Sequence, residues 1–185
     1  MFQRPNLHYV NYDLLLKTKK SLEIGVWSSA DRDTTQLLIK HLFGRFLTQL
    51  LFVSFDPTRS SSEEDDMRSQ PMSRNLSSVF QRYPHFDETN TLMVSNHHNL
   101  VEEFQRNDIV IPEYHPRLGR TDFADDRHMF YLHKYVRFLL SLDTAVGTDV
   151  RQKMQAYSYA SFIQKLTKSV RYDSYSYSRS GEAEF

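Results

Sequence analysis

The segment Asn90-Thr91-Leu92-Met93-Val94-Ser95-Asn96-His97-His98 contains a short apolar run that polar residues close. An acidic and polar segment, residues 84–88, leads into it. This pattern predicts a strand that is buried on both faces and whose carboxyl end opens onto a crevice. In an open parallel sheet, ligands and chemistry belong at that end. The side chains that follow the run there are all polar, and none is a carboxylate: Ser95, Asn96, His97 and His98.

The composition limits the class of protein. With 185 residues and average apolar content, the chain suits a single domain with an ordinary core. It has no cysteine, which excludes disulfides, zinc–thiolate sites and thiol nucleophiles. The formal charge is zero, so the chain lacks the overall basic field of a nucleic-acid-binding protein, and protein partners are favoured. No stretch reaches the roughly 20 apolar residues that a membrane span needs.

Strands and helices are predicted to alternate outward from this segment. The segment quoted above predicts a strand at 91–95, and similar apolar runs predict strands at 22–27, 50–55 and 108–111. Helices are predicted after Arg4-Pro5-Asn6 and over 31–43, 74–81, 123–142 and 150–170, with one more between the last two strands, where Leu100, Val101 and Phe104 face inward. The alternation indicates an α/β layer structure with a mostly parallel sheet.

The spacing of apolar residues predicts which helix faces are buried. The predicted inward side chains are Leu7, Val10, Leu14 and Leu15 in the first helix, Leu37, Leu38, His41 and Leu42 in the second, and Phe130, His133, Val136, Phe138, Leu139 and Leu140 in helix 123–142. Ser28, Ser29 or Asp31 is predicted to cap the second helix, and Gly44 to end it. Capping also explains the acidic residues Asp122, Asp125 and Asp126.

Two segments have the composition of solvated chain. Residues 58–73 are acidic, rich in serine and low in complexity, which predicts a polar insertion. Residues 171–185 form a tyrosine–serine tail that is too polar to build a core of its own. We therefore expect an α/β domain over 1–145, followed by a helix and a polar tail over 146–185.

The order of the motifs along residues 4–142 resembles that of a known family. The motifs are Arg4-Pro5-x-Leu7, Leu22-Glu23-Ile24-Gly25-Val26-Trp27-Ser28-Ser29, Arg74-Asn75-Leu76, Asn90-Thr91-Leu92-Met93-Val94 and Asn107-x-Ile109-x-Ile111-Pro112. Their order is similar to that of the FCP/SCP-type (NLI-interacting-factor-like) phosphatase domain of the haloacid dehalogenase (HAD) superfamily. That branch includes phosphatases of the RNA polymerase II tail and a receptor subunit of the mitochondrial presequence translocase. The resemblance implies a three-layer, HAD-like (Rossmannoid) fold with added C-terminal helices.

The resemblance also implies that the catalytic positions are degenerate. Hydrolysis in the family uses an Asp-x-Asp pair on the first strand, a Ser or Thr after the next strand, a Lys, and an Asp-Asp pair that holds magnesium. Ser28 falls on the Ser/Thr position, Arg74 on the Lys position, and Ser95 and Asn96 on the magnesium-binding pair. A phosphate ester repels a carboxylate nucleophile unless a divalent cation and a side-chain cation neutralise it. We therefore predict no catalytic residue, no cofactor and no metal site.

The Asp-x-Asp strand has no match, because the sequence begins at the segment that follows it in the family. The resemblance implies that this strand is central, between the strand ending in Ser28 and the strand ending in Ser95. Without it two ladders stay unpaired, and each buried unpaired backbone group costs about 1–3 kcal/mol. The gap is filled by a strand from a partner chain, by a split-off upstream gene product, or by a rearranged sheet in which the flanking strands meet directly.

Histidines give no alternative metal site. His97 and His98 are adjacent and point in different directions. His128 and His133 are five residues apart on a helix, which puts them on different faces.

Together these features predict a non-catalytic HAD-like pseudophosphatase that serves as a structural subunit of a large assembly. The preferred context is a mitochondrial complex such as the mitochondrial ribosome, with the cytoplasm as the other compartment. The predicted partners are protein subunits, a strand that completes the sheet, and RNA through local contacts; the contact surfaces would be the N-terminal segment, 58–73 and 171–185. Two alternatives stay open: a magnesium-dependent phosphatase completed by a nucleophile-bearing strand from another chain, and a phosphopeptide-binding module that uses Ser28 and Arg74.

Overall fold

The computed structural model describes residues 4–18, 21–55, 76–96, 106–115, 126–142 and 148–168. In these ranges the fold is mixed α/β, with six α-helices and two short parallel sheets. The elements, in chain order, are α1 (Leu7–Tyr12), β1 (Gly25–Trp27), α2 (Arg32–Phe43), β2 (Phe52–Ser54), α3 (Leu76–Arg82), β3 (Met93–Ser95), β4 (Asp108–Val110), α4 (His128–Ser141), α5 (Val150–Ala156) and α6 (159–168). A π-helical segment, Asp13–Lys17, continues α1, and a 3-10 helix, Gly44–Gln49, follows α2.

Both sheets contain two parallel strands. β1 pairs with β2, so that Val26 lies opposite Val53, and β3 pairs with β4, so that Val94 lies opposite Ile109. The prediction of parallel pairing is confirmed for these strands, although each is shorter than predicted. In the described ranges β1 and β3 do not pair with each other. The two strands therefore do not meet directly in these ranges.

The β1–β2 pair depends on a glycine. The ring of Phe52 covers Gly25, and a Cβ atom at that position would lie 2.3 Å from the nearest ring carbon. The same ring stacks on Tyr83, with 5.9 Å between the centroids. A side chain at position 25 would displace this aromatic pair.

Two apolar clusters form the core. The larger one joins α1, its π continuation, β4 and α4, and its buried members are Val10, Leu14, Ile109, Leu132, Tyr135, Val136 and Leu139. The smaller one is built on Leu76 and Val79 of α3. The strand segments at β1 and β3 each touch both clusters: Ile24 and Leu92, directly before β1 and β3, pack against the larger one, and Trp27 and Met93, within these strands, pack against the smaller one.

The predicted inward face is confirmed for α1, but for α2 it is confirmed only in part. Val10, Leu14 and Leu15 are buried, and Leu7 is half-buried. In α2 the buried residues are Thr35 and Ile39. Of the predicted inward side chains, Leu38 and Leu42 are half-buried, whereas Leu37 is 70% exposed and His41 is also exposed. The face is rotated because the Thr35 hydroxyl turns inward, 2.8 Å from that of Ser28.

Both ends of α2 were predicted correctly. The Asp31 carboxylate accepts a hydrogen bond from the Thr34 amide at 2.8 Å, which caps the start of the helix. Gly44 ends it with a φ of 50°, a conformation that favours glycine.

Three other predictions need correction. Strand β3 is not buried on both faces, because Val94 is 44% exposed. Leu140 of α4 is 41% exposed. The last helix is two helices, since the chain breaks at Tyr157 and Ser158, where the Tyr135 hydroxyl donates to the Tyr157 carbonyl oxygen at 2.6 Å.

Several predictions fall outside the described residues: the insertion 58–73, the helix predicted between the last two strands, the tail 171–185, and Arg74, His97, His98, Asp122 and Asp125. Among the helices that the structure does describe, none combines the length and apolar character needed to cross a bilayer.

Candidate functional site

Ser28 follows β1 and is part of the turn into α2. Its Oγ accepts a hydrogen bond from the Ala30 amide at 3.1 Å, and it lies 2.8 Å from the Thr35 hydroxyl. Thr35 is almost fully buried, with 1% of its surface exposed. The hydroxyl of Ser28 is therefore used to shape the connection between the strand and the helix.

Ser95 ends β3 and is tied to the neighbouring strand. Its hydroxyl lies 3.0 Å from both carboxylate oxygens of Asp108, and its carbonyl oxygen accepts a hydrogen bond from the Ile111 amide at 2.9 Å. Asn96, the next residue, is exposed. The hydroxyl at the carboxyl end of β3 therefore donates to a carboxylate of the neighbouring strand β4.

These residues do not fit a magnesium ion of the kind that the family resemblance implies. Magnesium is held through carboxylate ligands in near-octahedral geometry. Ser95 and Asn96 offer only neutral oxygens, and Asp108 is engaged by the Ser95 hydroxyl. Nowhere in the described ranges do three His, Asp or Glu side chains come together in a way that could hold a metal ion.

A buried contact between Asp13 and His133 lies elsewhere in the described residues, away from Ser28 and Ser95. His133 Nε2 is 2.7 Å from Asp13 Oδ2, and both residues are buried, with 4% and 6% exposed. Because a carboxylate can only accept, Nε2 must carry the proton. His133 Nδ1 is also buried and has no hydrogen-bond partner in the part of the chain that the structure describes. The pair links the π-helical segment to α4.

Two exposed cations flank this pair. Lys17 Nζ lies 3.7 Å from Asp13 Oδ1, and Arg137 Nε lies 4.0 Å from Asp13 Oδ2. The hydrogen bond from His133 lowers the pKa of Asp13 below its usual value; burial opposes this, and the charges of His133, Arg137 and Lys17 assist it. Asp13 therefore stays a carboxylate inside the core.

A second network joins the ends of three elements. Arg4 Nε lies 3.1 and 3.0 Å from the two carboxylate oxygens of Asp126, and its Nη1 donates to the Pro112 carbonyl oxygen at 2.7 Å. Asp126 lies one residue before Arg127, the N-cap of α4, and accepts from the His128 amide at 3.0 Å, so it bonds the first turn without being the N-cap itself. Burial raises the pKa of Asp126, but the hydrogen bonds from Arg4 and the His128 amide outweigh it and leave the pKa lowered.

Asn107 closes the turn before β3. Its side-chain amide donates to the carbonyl oxygens of Glu88 at 2.6 Å and Thr91 at 2.7 Å, and only 1% of its surface is exposed. Arg4 and Asn107 were singled out by sequence for their place in a motif, and here each fastens separate parts of the chain together.

The sequence interpretation missed the Asp13–His133 pair. It placed His133 on the inward face of its helix and on a different face from His128, but it named no partner, and the two paired residues are 120 positions apart. The available signal was an acidic residue directly before the buried Leu14 and a histidine at helical spacing from the buried Val136.

Comparison of the chain with protein-family models, with curated proteins and with solved structures finds no match.

Proposed function

We propose that this protein is a non-catalytic relative of the FCP/SCP-type phosphatases and acts as a structural subunit of a large assembly, in which a strand from a partner completes its sheet. The observation that carries the proposal is the division of the described strands into two parallel pairs, β1–β2 and β3–β4. A central strand between β1 and β3 would leave these same pairings intact.

The packing supports this arrangement. Ile24 of the segment before β1 and Leu92 before β3 touch the larger core cluster, while Trp27 and Met93 touch the smaller one on α3. Both pairs of strands therefore lie between the same two apolar layers. A strand inserted between β1 and β3 would be covered on both faces, as a central strand of a parallel sheet requires.

The inner edges have the backbone groups for this pairing. The Ser28 amide donates to the Ser54 carbonyl oxygen, and the Leu51 amide donates to that of Ile24, so the even-numbered residues of β1 face β2. Residues alternate along a parallel strand, which turns Gly25 and Trp27 toward the opposite edge. By the same reasoning Val94 faces away from β4, because Ser95 accepts from Ile111.

The side chains at the crevice support the loss of catalysis. Ser28 is engaged in the turn before α2, and Ser95 is engaged with Asp108. Neither side chain supplies a carboxylate nucleophile, and the neutral oxygens of Ser95 and Asn96 do not provide the carboxylates that hold magnesium. A mitochondrial complex, with the mitochondrial ribosome as the first choice, is the context that we propose from the resemblance to the translocase receptor.

Hydrogen exchange tests the partner strand. The amides of Gly25, Trp27 and Val94 should exchange rapidly in the isolated chain and become protected in the native assembly. The Tyr135 amide in the middle of α4 is the matched control and should be protected in both. Equal and rapid exchange at the three edge amides in both states would contradict the proposal.

A phosphatase completed by a nucleophile-bearing strand from another chain would protect the same amides of β1 and β3. An activity assay is therefore needed to distinguish this enzyme from a structural subunit. The assembly purified with this chain is given a generic aryl phosphate with and without a chelator. We expect no hydrolysis that depends on this protein. Chelator-sensitive hydrolysis that is lost when the chain is removed would establish the enzyme instead. A phosphopeptide-binding module would show saturable phosphopeptide binding that Arg74→Ala abolishes.

A further inference from the structure

One face of the N-terminal helical segment stays apolar and exposed although the opposite face is already in the core. Tyr9, Tyr12 and Leu16 are 49%, 38% and 44% exposed, while Val10 and Leu14 are buried. Large apolar side chains that stay exposed together mark a candidate interaction surface. We call the exposed group, together with Lys17 and Arg137, the aromatic–cationic face.

We propose that the aromatic–cationic face docks an acidic amphipathic helix from another protein of the assembly. This inference rests on the proposed function in one respect, that the protein works among partners. The face lies on α1, its π-helical continuation and α4, and not on the β1 and β3 edges that sheet completion would use.

The spacing of the apolar side chains fits a helix. Tyr9, Tyr12 and Leu16 are separated by three and four residues, which is the interval at which helices present anchors to a helical partner. Two contacts place members of the group: the Tyr9 ring meets His133 at 5.2 Å, and Lys17 Nζ lies 5.7 Å from the centre of the Tyr12 ring. Tyrosine gives a large contact area and loses little entropy when it is ordered.

The charges select an acidic partner. Lys17 and Arg137 have 60% and 51% of their side chains exposed, and their contacts to Asp13 are long, at 3.7 and 4.0 Å. The shorter 2.7 Å contact of Asp13 belongs to His133. Both cations can therefore still pair with carboxylates that flank an apolar stripe on the partner.

A protein helix suits this face better than single-stranded RNA. Bases need free ring faces for stacking. Lys17 already lies over the ring of Tyr12, which also packs edge-on against Phe46 with 6.3 Å between centroids. Leu16 adds an aliphatic anchor that a partner side chain can pack against but that offers no ring for stacking.

Photo-cross-linking of the full chain in its native cells tests the inference. Tyr12→p-benzoylphenylalanine reports on the aromatic–cationic face, and Val94→p-benzoylphenylalanine reports on the β3 edge. We expect position 12 to cross-link to one protein segment with apolar residues at helical spacing and flanking Asp or Glu. Lys17→Glu combined with Arg137→Glu should lower that yield about tenfold, because both rim charges are reversed. Lys165→Glu, at an exposed lysine of α6, is the matched control and should leave the yield unchanged.

The outcomes separate the two proposals. Cross-links from position 12 to RNA, to an extended or basic segment, or to nothing while position 94 still links, overturn the helix-docking inference and leave the sheet-completion proposal standing. Cross-links from position 12 alone leave docking standing and remove sheet completion. Leu16→Ser tests the apolar half without touching the contacts of Asp13; it should also reduce the yield from position 12, with an unchanged melting temperature showing that the chain is folded.

Discussion

Removing the carboxylate of Asp13 is expected to destabilise the protein by about 3 kcal/mol, because the buried His133 ring loses the acceptor of its hydrogen bond to a charged group. The 2.7 Å bond from His133 Nε2 has no substitute once the acceptor is gone, and a buried donor without an acceptor carries its full desolvation cost. The exposed cations Lys17 and Arg137 add little, since pairs of this kind contribute about 0–1 kcal/mol. The loss in Asp13→Ala is therefore assigned to His133.

Urea unfolding followed by circular dichroism measures this effect. Asp13→Ala, His133→Ala and the double variant form a cycle, and we expect a coupling energy of about 2 kcal/mol between the two residues. A coupling below about 0.5 kcal/mol would refute the reasoning, because it would mean that the contact does not stabilise the fold. Lys17→Ala is the matched control and should lie within about 0.5 kcal/mol of the natural protein.

The same pair predicts a dependence on pH. The pKa of Asp13 is lowered from 3.8 in the folded state, so below that value the unfolded chain binds protons that the folded chain does not. The stabilisation by Asp13 is therefore complete above 3.8 and is lost as the pH falls through the folded pKa. The difference in unfolding free energy between the natural protein and Asp13→Ala should shrink in that acidic range, and a constant difference would contradict the assignment.

Three further substitutions probe the packing. Gly25→Ala should cost about 2 kcal/mol through the clash with the Phe52 ring; in urea titrations Phe52→Leu should recover most of the loss, and no recovery would argue against the clash. Tyr135→Phe should cost about 1 kcal/mol, because it loses the hydrogen bond to the Tyr157 carbonyl oxygen. Burial raises the pKa of Tyr135 to about 12, so the stability of the natural protein should fall as the pH rises above 10. In an alkaline titration the Tyr135→Phe variant should show a smaller fall. Burial lowers the pKa of His128 from 6.5, so acidification through about pH 6 should destabilise the fold, and His128→Gln should flatten that slope in melting experiments.

Local patterns predicted local structure well. The stripe of Val10, Leu14 and Leu15 marked the buried face of the first helix, and Asp31 and Gly44 marked the ends of the second. These signals work because helix periodicity and capping act within a few residues of sequence.

Other features depended on contacts that local patterns do not contain. Leu37 fits the apolar period of α2, yet it is exposed because the bond between Thr35 and Ser28 sets the rotation of the helix. The break after α5 arises where Tyr135, on another helix, takes the carbonyl of Tyr157. In both places a tertiary hydrogen bond outweighed the apolar pattern.

The sequence also predicted only part of the candidate site. Its polar character at Ser28 and Ser95 followed from sequence, whereas the use of their hydroxyls in a turn and in a bond to Asp108 required the structure. The pairing of Asp13 with His133 joins two helices that are distant in the chain, so no short motif could reveal it.

The separation of the strands into two pairs has a consequence for the abundance of this protein in the cell. A ligand that binds only the folded state adds to its stability in proportion to the logarithm of its concentration. If a neighbour supplies the strand that we propose between β1 and β3, copies made in excess of that neighbour are less stable than those already incorporated, and quality-control proteases would remove them first. Abundance would then follow the supply of the assembly rather than the rate of synthesis of the chain.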